Sequence, residues 1–460
     1  MAGLKPVNPI DQGFLWLERR NQPMHVGGLL LLRPPADAGD DYIPALIERT
    51  RRATWAHPPF NQRLVRRLGA WFWTEDRAFD VEAHFRPLAL PRPGRIRELL
   101  TLVSQLHANL LDRAKPLWEL YLIDGVEDGR IAVYAKIHHA MVDGVAAMRL
   151  LQRAMTTEAG EAELTPLWAI PPRRRQGSGR NPALRLGQLT GAQLASLPRV
   201  SMELSRTVQS AWQRDPDFVS AFQAPRCILN QRVSASRRFA AQSWSLDRIR
   251  AAGRQLGGTL NDAVLAMCSA ALRRYLQSLD ALPDKPLIAM VPMSLRQDDS
   301  EGGNQVALFL ANLATHLDDP RARFDTIARS VRHSKARYAT MSQTEIMNYV
   351  ATVMAVGGVN LATGLVPGRQ PFNVVISNVP GPKQPLYFNG ARLEGMYPVS
   401  IVLDGQALNI TLNSYDHKLE FGLIACSRTL PSTQRLLDDL EQGLAELEAL
   451  AGSAVAGCHS

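Results

Sequence analysis

Two adjacent histidines, His138 and His139, are the side chains of this chain best suited to proton transfer. They lie in the sequence KIHHAMVDG, in which Asp143 follows four residues after the second histidine and Gly144 comes next. Imidazole has an ordinary pKa of about 6.5, so it exchanges protons readily at neutral pH. The aspartate lies about one helical turn further on, where it can hold the loop, and the glycine permits a tight backbone. The segment predicts an acid–base site.

The residues around the histidines predict how they are positioned. The preceding run RIAVYA, residues 130–135, is apolar and β-branched enough for a buried strand. The following run VAAMRLL, residues 145–151, begins directly behind the glycine and is typical of a helix. The two histidines are therefore expected where a strand ends and the backbone turns, a position that presents side chains to a cleft.

A metal site is the first alternative, since two histidines and a carboxylate can bind an ion as a facial triad. Adjacent residues at a strand end point in opposite directions, so they rarely bind the same ion. A purely structural pair of histidines is the second alternative. We predict proton chemistry and no metal.

Length and composition indicate a folded protein with more than one domain. At 460 residues the chain predicts two domains of roughly 200 residues each. Its four cysteines are scattered without a CxxC pair, which favours neither zinc nor disulfides and suggests a reducing cytoplasm. The N-terminus lacks the apolar core of a signal peptide. Polar residues and glycines interrupt the most apolar stretch, residues 347–366, so no spanning helix is predicted.

The net charge of +9 is concentrated in the middle of the chain. Residues 170–259 contain 15 Arg, no Lys and four acidic residues. Such a region suggests an anionic partner: a phospholipid surface, a CoA phosphate or nucleic acid. No nucleic-acid motif accompanies it, so we predict no nucleic-acid partner. An ordinary solvated surface is the other interpretation.

A linker rich in proline, glycine and arginine, residues 171–182, divides the chain. We predict an N-terminal domain over 1–170, a basic linker and crossover helix over 171–225, and a C-terminal domain over 226–460. Strands are predicted over 26–32, 120–124, 131–137, 286–291, 306–313, 372–376, 407–414 and 418–425. Helices are predicted over 42–53, 97–111, 197–211, 260–276, 320–338 and 436–447. The helix over 197–211 either crosses between the domains or rests on a membrane surface.

The HHxxxDG pattern resembles the active-site signature of the CoA-dependent acyltransferase superfamily. Four further segments resemble one of its families, the bacterial wax ester synthase/diacylglycerol acyltransferases. They occur in that family's order between about residue 11 and residue 382. They are Asp11, Phe14 and Glu18 with MHVG at 24–27, PLW at 116–118, ND at 261–262, and SNVPGP at 377–382.

This resemblance implies the fold and the reaction. The fold would be α/β, with two chloramphenicol-acetyltransferase-like domains, each a mixed sheet flanked by helices, and a tunnel between them. The reaction would move a fatty acyl group from acyl-CoA to a long-chain alcohol, giving a wax ester, or to diacylglycerol, giving triacylglycerol. No GxSxG elbow is present, which favours direct attack over an acyl-enzyme. Acyl-CoA would be a substrate, and no cofactor is expected.

The resemblance also implies residue roles. The second histidine of the motif, His139, would be the general base, while His138 would pack or orient. Oxyanion donors would be Asn261 and then Ser377 or Asn378. Asp143 would face an arginine and hold the loop on which Gly144 keeps the backbone compact; Arg63, by analogy with condensation domains, is preferred to Arg296.

Several of these residues have an alternative structural interpretation. Trp118 is either a substrate contact or an aromatic anchor beneath the sheet. Asn261 is also a good candidate for the N-cap of its helix. His25 is expected to be a core or surface histidine.

Two other functions stay open: a lipid-binding protein without turnover, and a condensation-type acyltransferase, which would need a carrier-protein partner. We expect a cytoplasmic protein, with peripheral association at the inner membrane, a lipid droplet or another lipid inclusion as a further option.

Overall fold

The computed structural model describes most of the chain. The described residues are 4–142, 144–160, 165–171, 223–294, 306–339, 341–342, 345–346, 348 and 370–457. Asp143, Arg296, most of the linker and the helix predicted over 197–211 lie outside them.

The described residues form both strands and helices in each half of the chain. The strands are β1 (Lys5–Pro6), β2 (His25–Arg33), β3 (Gln62–Arg67), β4 (Ala70–Glu75), β5 (Phe85–Ala89), β6 (Trp118–Val126), β7 (Arg130–His138), β8 (Arg237–Ser245), β9 (Ile288–Ser294), β10 (Val306–Asn312), β11 (Val374–Val379), β12 (Tyr387–Phe388), β13 (Ala391–Val399), β14 (Leu408–Tyr415) and β15 (Lys418–Cys426). The helices are α1 (Pro9–Leu17), α2 (Tyr42–Arg51), α3 (Ile96–Ala108), α4 (Gly144–Arg153), α5 (Leu246–Gln255), α6 (Leu260–Gln277), α7 (Pro320–Ala339) and α8 (Arg435–Gly457).

The first large sheet has the strand order β12-β13-β2-β7-β6-β5. Only β5 and β6 run parallel; the other neighbours are antiparallel. Both faces of this sheet are covered, since Leu30 and Leu32 pack in one core cluster and Leu29 and Leu31 in another. Burial on both faces explains why β2 is a continuous apolar run rather than an alternating one.

The second large sheet has the order β10-β9-β11-β14-β15-β8 and is also mixed, because β11 runs parallel to both β9 and β14. Helices α5, α6, α7 and α8 cover one face and form the largest core cluster with it. Helix α6 is central: all of its side chains from Asp262 to Leu272 are buried. A helix that is apolar on all sides belongs in a core.

These two sheets confirm the predicted fold class, and most predicted elements lie within a few residues of the observed ones. The hairpin β3–β4, strands β1, β5, β8, β12 and β13, and helices α1 and α5 were not predicted. A third, small sheet of order β1-β4-β3 carries that hairpin. No described helix is long and apolar enough to cross a membrane.

Strands β12 and β13 come from the C-terminal half but complete the N-terminal sheet. Strand β13 therefore lies against β15 of the second sheet. A Cβ atom on Gly422 would lie 1.8 Å from the carbonyl oxygen of Pro398, so only glycine permits this approach. Helix α3 is joined to the second sheet as well, because the backbone N–H of Phe239 donates to Ser104 Oγ at 2.9 Å. The two halves of the chain therefore pack against each other along an extensive junction. Strands β12 and β13 belong to the C-terminal half by sequence and to the first sheet by structure.

Candidate active site

His139 lies one residue beyond the end of β7, where the chain turns. Its backbone N–H donates to the carbonyl oxygen of Met24 at 2.8 Å, which fixes the turn against the start of β2. Its imidazole is half-buried and stacks on the ring of Phe14, with 4.0 Å between the ring centroids and 17° between the planes. Helix α1 thereby sets the orientation of a histidine that is still partly accessible.

His138 has a different environment. It is completely buried, and its Nδ1 accepts the backbone N–H of Ala140 at 3.0 Å. That acceptor role places the proton on Nε2, which donates to Glu18 Oε2 at 3.1 Å. Both ring nitrogens are therefore used within the protein. Of the two histidines, only His139 is partly accessible.

Glu18 is held in turn by Arg113. Its Oε1 accepts from Arg113 Nη2 at 2.9 Å and from Nε at 3.1 Å, while Oε2 also accepts the backbone N–H of Met24 at 3.3 Å. Burial opposes ionisation of Glu18, but the hydrogen bond from His138 and the charge of Arg113 outweigh it, so its pKa is lowered. An Arg113–Glu18–His138 chain thus fixes the histidine beside the candidate base.

The role of Glu18 could not be predicted from the sequence, although Glu18 belongs to the opening motif. The glutamate and the histidine are 120 positions apart, and the pairing depends on where α1 packs. The one signal in the sequence was that Glu18 is an acidic residue in the opening motif and has no other evident role there.

Two further histidines, His25 and His107, lie close to the motif but have structural roles. His25 lies directly across from His138 in the β2–β7 ladder and donates from Nε2 to the carbonyl oxygen of His107 at 2.8 Å. His107 accepts from the hydroxyl of Tyr134 at 2.7 Å and donates to the carbonyl oxygen of Ser400 at 2.8 Å. Burial lowers the pKa of His25 well below its ordinary value and that of His107 to about 3. Both are neutral at physiological pH.

Lys136, at the start of the KIHH segment, is also completely buried. Its Nζ lies 2.8 Å from Glu119 Oε2 and donates to the carbonyl oxygens of Leu106 and Asn109 at 3.1 and 3.2 Å. Burial lowers the pKa of Lys136, which the negative charge of Glu119 opposes. This cation fastens the end of α3 to β7 and so supports the strand that carries the histidines.

The structure describes Gly144 and Arg63 but neither Asp143 nor Arg296. Gly144 is the first residue of α4, so the helix begins one residue earlier than the predicted run over 145–151. Arg63, the preferred partner of Asp143, has a half-exposed side chain and lies 3.8 Å from Asp76, measured from Nε to Oδ1. Because Asp143 and Arg296 lie outside the described residues, both proposed pairings stay predictions.

Trp118 is 1% exposed and belongs to the core of the first sheet. Its indole Nε1 donates to the carbonyl oxygen of Phe60 at 2.9 Å, and its ring stacks on His84 and Trp168 at centroid distances of 4.5 and 5.2 Å. These contacts are those of the aromatic anchor that was one of the two interpretations.

Asn261 is not the N-cap of its helix, which corrects one expectation. Helix α6 begins at Leu260, and Thr259 is the N-cap in a reciprocal capping box with Asp262. Thr259 is the N-cap because a capping box needs a suitable polar side chain three positions after the cap, and Asp262 supplies it. Asn261 is left half-buried in the first turn of the helix.

The SNVPGP segment ends β11 and separates the two candidate donors. Ser377 pairs with Thr411, which lies opposite Gly422, so Ser377 faces the side of the sheet that β13 crosses. Asn378 pairs with Leu412, which packs under the helices on the other side. Of the two, Ser377 is the residue directed to the junction between the halves.

The turn after Ser377 also requires its glycine. A Cβ atom on Gly381 would lie 2.0 Å from the carbonyl oxygen of Ser414 and 2.7 Å from Asn413 Oδ1. The backbone N–H of Gly381 donates to Ser414 Oγ at 2.9 Å. The turn is therefore packed directly on the end of β14.

Among the described residues, no group of three or more His, Cys, Asp or Glu side chains has the geometry to hold a metal ion.

A buried carboxyl group, Glu420, lies at the junction on the same face of the second sheet as Ser377. Its Oε2 accepts the backbone N–H of Met396 in β13 at 2.6 Å, so it joins the two halves. Burial raises the pKa of Glu420 to about 7, although the Met396 hydrogen bond and the charge of Lys418 oppose this rise. Ser243, opposite it on β8, and Tyr397 are its other polar neighbours.

Glu420 predicts a stability that falls as the pH rises. A carboxyl whose pKa is raised in the folded state stabilises the fold fully below about pH 4.5. That contribution is lost as the pH rises through about 7. We expect Glu420→Gln to remove this decline and to raise the free energy of unfolding at pH 8 by about 2–3 kcal/mol relative to the wild type. Denaturation between pH 4.5 and 8 measures it, with the exposed Glu82→Gln as control. Parallel pH curves for wild type and Glu420→Gln would contradict the assignment.

The two mixed sheets, the first of them completed by β12 and β13 from the C-terminal half, define the fold. The fold is shared with the first condensation domain of the CDA synthetase, which is 14% identical, with a TM-score of 0.59 and coverage of 98% of this chain and 97% of that one.

Much closer matches identify the family. Residues 7–264 match the wax ester synthase/diacylglycerol acyltransferase catalytic domain, and residues 302–448 match the corresponding C-terminal domain. O-acyltransferase WSD of Acinetobacter baylyi is 51% identical over 97% of this chain and 98% of its own length. A putative diacylglycerol O-acyltransferase of Mycobacterium tuberculosis is 45% identical over 97% and 100%. The wax ester synthase/diacylglycerol acyltransferase of Marinobacter aquaeolei VT8 has a TM-score of 0.81 at 49% identity, covering 97% of this chain and 100% of that one.

The chain therefore belongs to the wax ester synthase/diacylglycerol acyltransferase family, and it is an acyltransferase.

Proposed function

We propose that this protein transfers a fatty acyl group from acyl-CoA directly to the hydroxyl group of a long-chain alcohol or of diacylglycerol. The products are a wax ester or triacylglycerol, together with free CoA. The observation that carries this proposal is the division between the two histidines. His138 has both nitrogens committed to the protein, whereas His139 is partly accessible and oriented by Phe14.

His139 is the proposed general base. It takes the proton of the acceptor hydroxyl as the oxygen attacks the thioester carbonyl carbon. The tetrahedral intermediate then collapses, the carbon–sulfur bond breaks, and the proton passes from His139 to the leaving CoA thiolate. General-base assistance of this kind contributes about 10²–10⁴-fold to the rate.

The oxyanion of the intermediate requires hydrogen-bond donors, of which a good one contributes about 3–4 kcal/mol. Asn261, in the first turn of α6, and Ser377, on the junction face of β11, are the proposed donors. The positive end of the α6 dipole supports a negative charge near Asn261. Asn378 is a weaker candidate because it shares a face with Leu412.

Direct attack fits the described cysteines better than an acyl-enzyme does. Burial raises the pKa of Cys227 to about 11 and that of Cys268 to about 12, so both are thiols at neutral pH. Burial opposes ionisation of Cys426, but hydrogen bonds with Ser234 and Thr429 lower its pKa to about 7. Its Sγ accepts the backbone N–H of Ser234 at 3.2 Å, and the residue is completely buried, which keeps the sulfur away from a substrate. Acyl-CoA enters this scheme as a substrate, and the scheme requires no cofactor.

Apolar substrates suggest where the protein works. Long-chain alcohols and diacylglycerol dissolve in membranes and lipid droplets, so the proposed site of action is the cytoplasmic surface of such a lipid phase, with the protein bound peripherally.

The test is acyl transfer by the purified full chain. Radiolabelled palmitoyl-CoA is incubated with hexadecanol, with dioleoylglycerol or without an acceptor, and both the ester and free CoA are measured. We expect ester only with an acceptor, in a one-to-one ratio to the CoA released. Equal CoA release without acceptor would identify a thioesterase, and binding without turnover would identify a lipid-binding protein; either result overturns the proposal.

A further inference from the structure

Four exposed hydrophobic side chains of the N-terminal half are close in sequence to members of one small core cluster. Among the described residues, six large hydrophobic side chains are exposed. Four of them, which we call the apolar patch, are Trp16 (65% exposed), Leu17 (52%), Leu68 (107%) and Leu110 (43%). Single exposed apolar residues are ordinary on a protein surface, but several around one site mark an interaction surface.

The apolar patch adjoins, along the chain, a core cluster that is separate from the three larger ones. We call this group the N-terminal cluster. Helix α1, the hairpin β3–β4 and the segment after α3 all contribute to it. Its buried members are Val7, Leu15, Leu64, Leu111, Leu117 and Ala140.

Each residue of the apolar patch is close in sequence to a member of the N-terminal cluster. Trp16 and Leu17 directly follow Leu15, and Leu110 directly precedes Leu111. Leu68 is at the tip of the hairpin whose Trp71 packs on the cluster. The Arg113 guanidinium connects hairpin and helix, since it lies 5.5 Å from the Trp71 ring centroid and donates to the carbonyl oxygen of Leu15 at 2.7 Å.

Leu68 occupies a backbone conformation that disfavours it. The two residues of the hairpin turn, Leu68 and Gly69, have φ values of 49° and 82°. A turn with two positive φ values is of type I′, which strongly prefers Asn-Gly. A fully exposed leucine there costs the turn stability, because a residue with a branched side chain tolerates positive φ poorly. The presence of a leucine at position 68 is therefore better explained by a contact with another molecule than by the stability of the hairpin.

Basic residues accompany the apolar patch. Arg19 and Arg20 follow α1, and Arg66 and Arg67 precede the hairpin tip; all four are exposed. Exposed Lys115 and Asp112 near Leu110 offset each other. The arginines give the region a net positive charge, which is complementary to an anionic surface and unfavourable for contact with a second copy of the same face.

We propose that the apolar patch and these four arginines dock the protein on an anionic phospholipid surface. This inference rests on the proposed function, because it brings the site to the phase that holds its apolar substrates. The N-terminal cluster includes Ala140 and has Met141 packed against it, the residues directly after His139. Helix α1 carries Trp16 and Leu17 on the outside and Phe14 against His139. Docking therefore places the active-site turn next to the lipid.

The proposed contact combines insertion and charge. Burial of one leucine or tryptophan side chain in the interfacial region raises the affinity of the protein for the lipid surface by roughly tenfold or more. Each arginine near an anionic surface contributes about fivefold, and salt screens this term.

The test is co-sedimentation of the full chain with vesicles of phosphatidylcholine and phosphatidylglycerol at low and high salt. The variants are Trp16→Gln with Leu17→Gln, Leu68→Asn alone, and Arg19→Gln with Arg20→Gln. Leu68→Asn is the sharpest, because asparagine suits the turn and is expected to preserve or raise stability while it removes the apolar tip. Matched controls from other surfaces are Trp55→Gln with Leu279→Gln, and Arg51→Gln with Arg52→Gln.

We expect the wild type to bind at low salt and to be released as salt rises. Each patch variant should bind at least about fivefold more weakly, whereas the controls should bind like the wild type. Patch variants that bind like the wild type, controls that are equally impaired, or a patch variant that changes only the oligomeric state would overturn the proposal.

A second measurement separates this proposal from the proposed function. Turnover of a short-chain acyl-CoA with butanol, without vesicles, should be unchanged in Leu68→Asn. A wild type that binds vesicles but transfers no acyl group to any alcohol would overturn the function and leave the docking surface supported. An active protein that does not bind the vesicles would overturn the docking surface and leave the proposed function supported.

Discussion

Replacement of His139 by alanine is expected to lower kcat for acyl transfer by about 10²–10⁴-fold while the protein stays folded. The partly accessible imidazole is the proposed proton acceptor, and its removal takes away both the base and the stack with Phe14. Initial rates with palmitoyl-CoA and hexadecanol measure the effect, and circular dichroism checks the fold. Wild-type turnover in folded His139→Ala would exclude this residue as the base.

His138→Ala is the matched control for that experiment. It removes the donor to Glu18 and the acceptor for the Ala140 N–H, so its main effect should be on stability. We expect a lower melting temperature and a milder loss of kcat than in His139→Ala. If the two losses of activity were reversed, the roles of the two histidines would have to be exchanged.

Replacement of Glu18 by alanine is expected to lower the free energy of unfolding by about 3–5 kcal/mol. The carboxylate is almost completely buried, and its loss leaves the Arg113 charge and the His138 N–H without their shared acceptor. Because Glu18 positions the histidine turn and does not contact substrate in the proposed scheme, kcat should fall with little change in KM. Chemical denaturation and steady-state kinetics measure the two effects.

Glu18→Gln serves as the conservative control, since its amide oxygen can still accept from His138. The lowered pKa of Glu18 gives the sign of the pH dependence. Its stabilisation is present above about pH 4.5 and is lost as the pH falls through the lowered value in the folded protein. The wild type should therefore exceed Glu18→Gln in stability at neutral pH, with the gap closing in acid. A gap independent of pH, or an unchanged kcat in Glu18→Ala, would contradict the positioning role.

Local patterns in the sequence were enough to predict the family, the fold class and the position of the candidate base. The motif around His138 and His139, the PLW, ND and SNVPGP segments and the apolar runs are local patterns, each readable within a few residues. Strands such as β2 and β7 were predicted because burial on both faces produces continuous apolar runs.

The residues that support the candidate base, and the way in which the two halves are joined, depend on contacts between distant parts of the chain. Glu18, Arg113 and His138 meet because α1 packs beside the end of β7, a contact between positions far apart in the chain. Strand β13 joins the first sheet although it belongs to the second half of the chain. Thr259 caps α6 in place of Asn261 because capping depends on backbone geometry as well as residue type. Long-range pairing leaves no local pattern, since each partner's sequence is compatible with many others, and packing alone selects among them.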